Sequence, residues 1–173
     1  MKIWIGTSIL IGFTTLTAFT DIRERRVFNK HLVAMLTVGL VFKIISPQVF
    51  SLSIMGFAFP FLLHYIPFKL RLVSAGDVKL FMVIGLLTGL EFVLTCMVIA
   101  YVIGGLVALC MMVRNKSLGA RLMAVYFYIT NMFLGRKLEK YSYGQGEILA
   151  MPFALMIHFA VLLQVFCFGG LNG

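Results

Sequence analysis

Long apolar runs without a charged residue constrain this chain more than any other feature of its sequence. Of its 173 residues 61% are hydrophobic, whereas a soluble globular domain is only about half apolar. A helix needs about 20 consecutive apolar residues to cross the hydrocarbon core of a bilayer, and several runs approach this length. The sequence therefore predicts an all-α fold, a polytopic bundle of transmembrane helices.

The breaks between the runs predict six transmembrane helices in a single domain, 1–173. Pro47-Gln48 forms a turn between the second and third runs, and Gly89-Leu90 separates the fourth from the fifth. The fifth run, Phe92 to Val113, is the longest. The predicted spans cover about residues 3–20, 32–46, 49–67, 77–88, 91–113 and 148–171.

Two segments admit another interpretation. The first run resembles a signal peptide, with Lys2 before it and the small-residue sequence Ala18-Phe19-Thr20 at its end. That interpretation would export the basic cluster that follows, so a transmembrane span is favoured. Leu122 to Leu134 is apolar and aromatic but too short to cross comfortably, and it predicts an interfacial amphipathic helix over about residues 120–135.

The basic residues predict the orientation of the bundle. With the N-terminus and the C-terminus both outside, 13 of the 15 lysines and arginines face the cytoplasm, and only Lys2 and Lys43 do not. The thirteen are Arg23, Arg25, Arg26, Lys30, Lys69, Arg71, Lys79, Arg114, Lys116, Arg121, Arg136, Lys137 and Lys140. This positive-inside pattern and attraction to anionic lipid account for the net charge of +9, so no nucleic-acid partner is expected.

The predicted topology places both aspartates of the chain at the cytoplasmic border. Asp21 follows the first span, and Asp77 begins the fourth. Two carboxylates that share one proton can act as acid and base around a water molecule, as in aspartyl proteases. The alternatives are structural: Asp77 as a helix N-cap, and Asp21 in a salt bridge to Arg23 or Arg25.

The residues around Asp77 carry a family resemblance. The element Gly76-Asp77-x-Lys79 opens a helix, and it resembles the Gly-x-Gly-Asp signature of the type IV prepilin peptidases, which are membrane aspartyl proteases. Ser74 stands where the first glycine of that signature is usual. The aspartate and its adjoining glycine are intact.

The residues around Asp21 extend the resemblance. The family's first motif reads roughly Asp-x-Arg-x-x-x-Ile-Pro-Asn, and Asp21, Arg23 and Asn29 match it. Val27 is a conservative replacement, and Phe28 replaces the proline. The resemblance covers most of the chain, from Asp21 through the fourth span and more faintly to Met151-Pro152-Phe153.

The resemblance implies a function and a set of site residues. Asp21 and Asp77 would be the catalytic pair, and Gly76, Lys79, Arg23 and Asn29 would bind substrate or support the site. The substrate would be a prepilin or pseudopilin in the bacterial cytoplasmic membrane. It would be cut on the cytoplasmic side after a glycine that ends a short basic leader, before the hydrophobic helix.

The cysteines refine this expectation. Long members of the family carry paired Cys-x-x-Cys motifs that bind zinc, and they add N-methylation to cleavage. Cys96, Cys110 and Cys167 are isolated in apolar runs, so no metal-ligand spacing exists and neither a metal nor another cofactor is expected. The chain is therefore similar to the short peptidases of Tad/Flp pilus systems, with cleavage and no methylation implied.

Two other functional classes remain open. An intramembrane protease of the presenilin or signal-peptide-peptidase type shares a Gly-x-Gly-Asp element, but its first aspartate usually stands beside a tyrosine, and here Thr20 precedes Asp21. A transporter or a non-enzymatic pilus-assembly protein would use the aspartates as a proton relay or an interface pair, although transport sites usually lie at mid-depth. Among other polar residues, Lys79 is expected to face away from Asp77 and snorkel. His64 and His158 could pair inside the bundle, but a single histidine in a membrane helix is more often a hydrogen-bonded packing residue, and that interpretation is favoured.

Overall fold

The all-α prediction is confirmed for the part of the chain that the structure describes. This computed structural model describes residues 2–24, 29–45, 50–69, 73–116, 118–119, 122–123, 126–127, 130 and 152–167. Its helices, labelled in chain order, are α1 Lys2–Glu24, α2 Asn29–Ile45, α3 Phe50–Lys69, α4 Ala75–Thr88, α5 Leu90–Arg114 and α6 Phe153–Cys167.

Local chemistry sets the ends of α4. Ser74 has an extended backbone and its hydroxyl accepts a hydrogen bond from the Gly76 N–H, as an N-cap residue does. At the other end Gly89 has a φ of 95°, a conformation that glycine adopts without strain, and its N–H bonds the carbonyl of Gly85. The break that Gly89 was predicted to make is confirmed, and the helix begins two residues earlier than the predicted span.

One end of the bundle gathers the termini of four helices. The Ala154 N–H at the start of α6 donates to Asp21 near the end of α1, at 3.0 Å. Lys79 in the first turns of α4 reaches Asn29, the first residue of α2, at 3.1 Å. We call the C-terminus of α1 and the N-termini of α2, α4 and α6 the site end.

Helices α3 and α4 make the closest packing in the bundle. Their backbones meet at Gly56 and Gly85: a Cβ built on Gly56 would lie 2.5 Å from the Gly85 carbonyl oxygen. Small residues allow two helix backbones to approach this closely. Such packing is common in membranes, where lipid leaves no hydrophobic driving force between helices. The two glycines thus fix how α4 lies on α3.

A polar seam joins α1 to α6, the next most extensive helix pair. The Thr14 hydroxyl lies 3.0 Å from Nδ1 of His158 and 2.9 Å from the carbonyl oxygen of Leu10. Helical threonines commonly satisfy their hydroxyls on a carbonyl one turn back, which allows them to be buried among apolar neighbours. His158 therefore contacts α1 and does not pair with His64; each histidine is instead a hydrogen-bonded packing residue.

Apolar side chains cover both the inside and the outside of the bundle. Phe81, Ile84, Val93 and Ile157 are fully buried, whereas many large apolar side chains on outer faces are exposed, Leu62 and Ile66 at 68% each. Among the described residues one helix, Leu90–Arg114, is long and apolar enough to cross a membrane, and Asn29–Val41 and Phe153–Cys167 are shorter apolar helices. Most of the predicted interfacial segment, 120–135, lies outside the described residues.

Candidate active site

Asp77 lies in the first turn of α4 and is only 8% exposed. The structural alternative for Asp77, a helix N-cap, does not hold, because Ser74 occupies the N-cap position and its hydroxyl accepts from the Gly76 N–H at 3.2 Å. Asp77 keeps the favourable position of an acid near the positive end of the helix dipole. Its carboxylate is thus free of a capping role, and its burial calls for another explanation.

Asp21 lies in the last turn of α1 and is only 7% exposed. Its Oδ2 accepts a hydrogen bond from the backbone N–H of Ala154 at 3.0 Å, 133 residues further along the chain. Asp21 lies beyond the predicted span, and burial raises its pKa above the ordinary value while the Ala154 hydrogen bond opposes that shift. Among the described residues Asp21 forms no salt bridge to Arg23, which is exposed; the other partner of the structural alternative, Arg25, lies outside the described residues.

The fold places the carboxylates of Asp21 and Asp77 within electrostatic reach of each other at the site end. They are on different helices, and the charge of Asp21 acts on Asp77. Two buried acids within electrostatic reach cannot both ionise easily, so such a pair tends to hold one proton between them. One member can then accept a proton while the other donates one, which is the requirement for acid–base attack of water on a carbonyl.

A second contact ties the helices that carry the two motifs. The Lys79 ammonium donates a hydrogen bond to the Asn29 side-chain oxygen at 3.1 Å, and both residues are exposed. The expectation that Lys79 merely faces away and snorkels was therefore incomplete, because its long side chain reaches back to α2. The link places Asn29 beside the start of α4.

The remaining predicted site residues occupy the same end of the bundle. Gly76 is half-buried directly before Asp77, and Arg23 is exposed two residues after Asp21. No cluster of three or more histidine, cysteine or acidic side chains suited to a metal ion occurs among the described residues. Among the described residues the site end thus holds the two aspartate carboxylates, the Ala154 N–H and the side chains of Lys79, Asn29 and Arg23.

Sequence reasoning missed two groups near the site. The Ala154 N–H contacts Asp21 directly, but no side chain marks a backbone donor in the sequence. His64 bonds Tyr101 rather than His158, and their rings pack against Phe81, one helical turn beyond Asp77. A buried histidine in the third span was the only signal for this second group.

Comparison with known proteins agrees with the motifs. The model of the type IV leader peptidase family matches residues 8–109, which include α2, α3, α4 and both aspartates. Searches of curated proteins and of solved structures returned no match.

Proposed function

Because the chain belongs to the type IV leader peptidase family, we propose that it is a membrane aspartyl endopeptidase that removes the short basic leader of prepilin-like proteins at the cytoplasmic face. Membership of this family suggests prepilin peptidase activity of the aspartic type. The observation that carries the proposal is the pair of buried, electrostatically interacting carboxylates of Asp21 and Asp77 at one end of the bundle.

The contacts of the two aspartates suggest how they divide the chemistry. The Ala154 N–H donates to Asp21, and a hydrogen bond of this kind favours the charged form of a carboxylate. Asp21 would therefore take the proton from the attacking water, and Asp77 would hold the shared proton and donate it to the carbonyl oxygen. After the tetrahedral intermediate forms, proton return to the leaving amine breaks the peptide bond.

The surroundings of the pair fit a substrate that combines a charged leader with a hydrophobic helix. The site end holds exposed polar residues such as Asn29 and Lys79, while buried apolar side chains begin at Val78 and Leu80. A peptide bond at the junction of a basic leader and an apolar helix would meet the carboxylates where these surfaces adjoin. Cleavage without N-methylation is proposed, as for the short Tad/Flp-type enzymes that the sequence resembles.

The topology proposed with this function has six spans in one domain, both termini outside, in the bacterial cytoplasmic membrane. The gathering of the termini of α1, α2, α4 and α6 at the site end supports it, because alternating spans would bring these termini to the same face. The basic residues predict that this face is cytoplasmic.

Reporter fusions test this topology. Fusions after Lys30, Arg71 and Lys140 should all report a cytoplasmic location, since the positive-inside pattern holds the basic loops there. The measurement is paired alkaline phosphatase and fluorescent-protein reporters at each position. A periplasmic signal from the fusion after Lys140 would contradict the interfacial helix and show that residues 120–135 cross the membrane.

The link between Lys79 and Asn29 should support catalysis modestly. Lys79→Met and Asn29→Ala each remove the hydrogen bond, and we expect each to slow cleavage about threefold to tenfold, the usual range for one such contact. The double variant should be no slower than the slower single variant, because both changes remove the same bond.

The matched control for this link is Lys69→Met. Lys69 is an exposed lysine at the end of α3, 5.9 Å from the ring of Tyr65, and its loss should leave cleavage unchanged. Equal slowing by Lys69→Met would mean that the effect reflects total positive charge rather than the link to Asn29.

The substrate assignment is tested by co-expressing the protein with a prepilin-like substrate and following leader removal by gel shift. We expect processing of a substrate with a basic leader that ends in glycine, and loss of processing when that glycine is replaced by a bulky residue. Processing of any membrane protein regardless of its leader would favour an intramembrane protease of broader specificity. No processing, with the protein folded in the membrane, would favour a non-enzymatic assembly role.

A further inference from the structure

Four aromatic side chains from four helices pack together around Phe81, one helical turn after Asp77. We call His64, Phe81, Tyr101 and Phe153 the aromatic cluster. The Tyr101 ring lies 5.8 Å from His64, 6.1 Å from Phe81 and 5.5 Å from Phe153, measured between ring centroids. Phe81 also contacts the other three members, with its ring 5.9 Å from His64 and 6.5 Å from Phe153. Tyr101 on α5 differs from Phe81 in that it also makes a side-chain hydrogen bond within the cluster, to His64.

A hydrogen-bond chain fixes the orientation of Tyr101. Nδ1 of His64 lies 2.6 Å from the carbonyl oxygen of Pro60, which can only accept, so Nδ1 carries the proton. In the neutral ring Nε2 is then the acceptor, and the Tyr101 hydroxyl donates to it. His64 is only 2% exposed, so both of its ring nitrogens are satisfied inside the protein.

Two members of the aromatic cluster lie close along the chain to Asp77 or to the residue that bonds Asp21. Phe81 lies one turn after Asp77, on the same face of α4. Phe153 directly precedes Ala154, whose N–H holds Asp21. Tyr101 thus connects the turn that carries Asp77 with the turn that holds Asp21.

This connection matters because the direct packing between the helices of the two aspartates is slight. Contacts of α4 with α1 and with α6 are few, whereas α5 packs extensively on α6 and also on α4. The spacing of the carboxylates therefore depends on helices that pack between them, which are α5, between α6 and α4, and α2, between α1 and α4.

We propose that Tyr101, held by its hydrogen bond to His64, is a positioning residue that sets the separation of Asp21 and Asp77. The expected change in cleavage rate rests on the proposed peptidase function, whereas the positioning of the two aspartates does not. Misplacement of a catalytic group by about 1 Å can cost on the order of a hundredfold in rate, so a small shift of α4 against α6 is enough to be measured. Substrate binding, which spreads over a larger surface, should change little.

Kinetics of purified variants test the effect on rate. Tyr101→Phe and His64→Phe keep the rings and remove the hydrogen bond, and we expect each to lower kcat about tenfold with KM within about twofold. The kcat of the double variant should be no lower than that of the slower single variant, because the same hydrogen bond is lost in all three proteins. Tyr65→Phe, the same chemical change at a tyrosine outside the aromatic cluster, 53% exposed against 38% for Tyr101, should leave both constants unchanged.

A distance measurement tests the positioning role without any activity. Spin labels are placed on Glu24→Cys and Ala75→Cys, exposed positions near Asp21 and Asp77, after replacement of Cys96, Cys110 and Cys167 by alanine. We expect Tyr101→Phe to broaden the distance distribution between α1 and α4, and Tyr65→Phe to leave it unchanged.

The two measurements separate the failure of this proposal from that of the proposed function. An unchanged distribution or an unchanged kcat in Tyr101→Phe would overturn the positioning role, as would a rise in KM at constant kcat. An inactive wild-type protein whose distribution still broadens in Tyr101→Phe would overturn the peptidase function and keep the positioning role.

Discussion

Asp77→Asn and Asp21→Asn should each abolish leader cleavage, with a loss of about 10³-fold or more. Each change replaces an ionisable carboxyl by an amide of nearly the same size, so the pair can no longer share and transfer a proton. The fold should survive, because the amide oxygen of an asparagine at position 21 can still accept the Ala154 N–H that Asp21 accepts at 3.0 Å. Cleavage is measured with purified protein, and folding by thermal unfolding in detergent.

The matched control is Glu91→Gln. Glu91 is an exposed acid in the first turn of α5, at the other end of the bundle from the aspartates, and the same loss of a carboxylate there should leave cleavage unchanged. Retained cleavage in Asp77→Asn would contradict the aspartyl mechanism. Loss of cleavage together with loss of folding in both aspartate variants would assign the pair a structural role instead.

Gly85→Ala should destabilise the bundle and reduce cleavage with it. The added methyl group would enter the space of the Gly56 backbone, which cannot move aside as a flexible side chain can, so α3 and α4 would have to separate. Overpacking of this kind costs about 1–3 kcal/mol, more than the roughly 1 kcal/mol that alanine contributes over glycine in a helix. Since α4 carries Asp77, its displacement should also lower the cleavage rate.

Gly105→Ala is the control for this effect. A Cβ at Gly105, in the interior of α5, would find no atom within 4 Å, so the variant should unfold at the wild-type temperature or slightly above it. Thermal unfolding in detergent compares the two. Equal unfolding temperatures for Gly85→Ala and Gly105→Ala would show that α3 and α4 do not approach as closely as the structure indicates.

The helices could be predicted from the sequence because each is a nearly uninterrupted apolar run with a clear break at its end. Gly89, for example, stops α4 through a backbone conformation that few other residues adopt. Helix ends were harder to predict: α1 continues to Glu24, past the last apolar residues, because charged residues continue a helix as readily as apolar ones do.

The two aspartates could be proposed as the catalytic pair from the sequence because an acid at a membrane border points to a function, and the structure shows that both are buried. Their surroundings could not. The donor to Asp21 is a backbone N–H 133 residues away, and a backbone donor cannot be recognised from the sequence because nearly every residue has one. An N-cap role was the structural alternative for Asp77, because short acids favour helix N-termini, but the cap position belongs to Ser74, three residues earlier.

Partners of single polar residues inside the bundle were the least predictable feature. Two histidines in apolar runs suggested a pair, yet His64 bonds Pro60 and Tyr101 while His158 lies against Thr14. Hydrogen bonds between helices depend on helix rotation and order, and neither follows from hydropathy. The same limit applied to Lys79, whose contact with Asn29 required the relative placement of α2 and α4.

The most direct test of the central claim is mass spectrometry of the products when purified wild-type protein in liposomes meets a prepilin with a basic leader. We expect a single cut after the glycine that ends the leader, and no cut by the Asp21→Asn and Asp77→Asn variants. An intact prepilin in the presence of folded wild-type protein, or a cut within the hydrophobic helix, would contradict it.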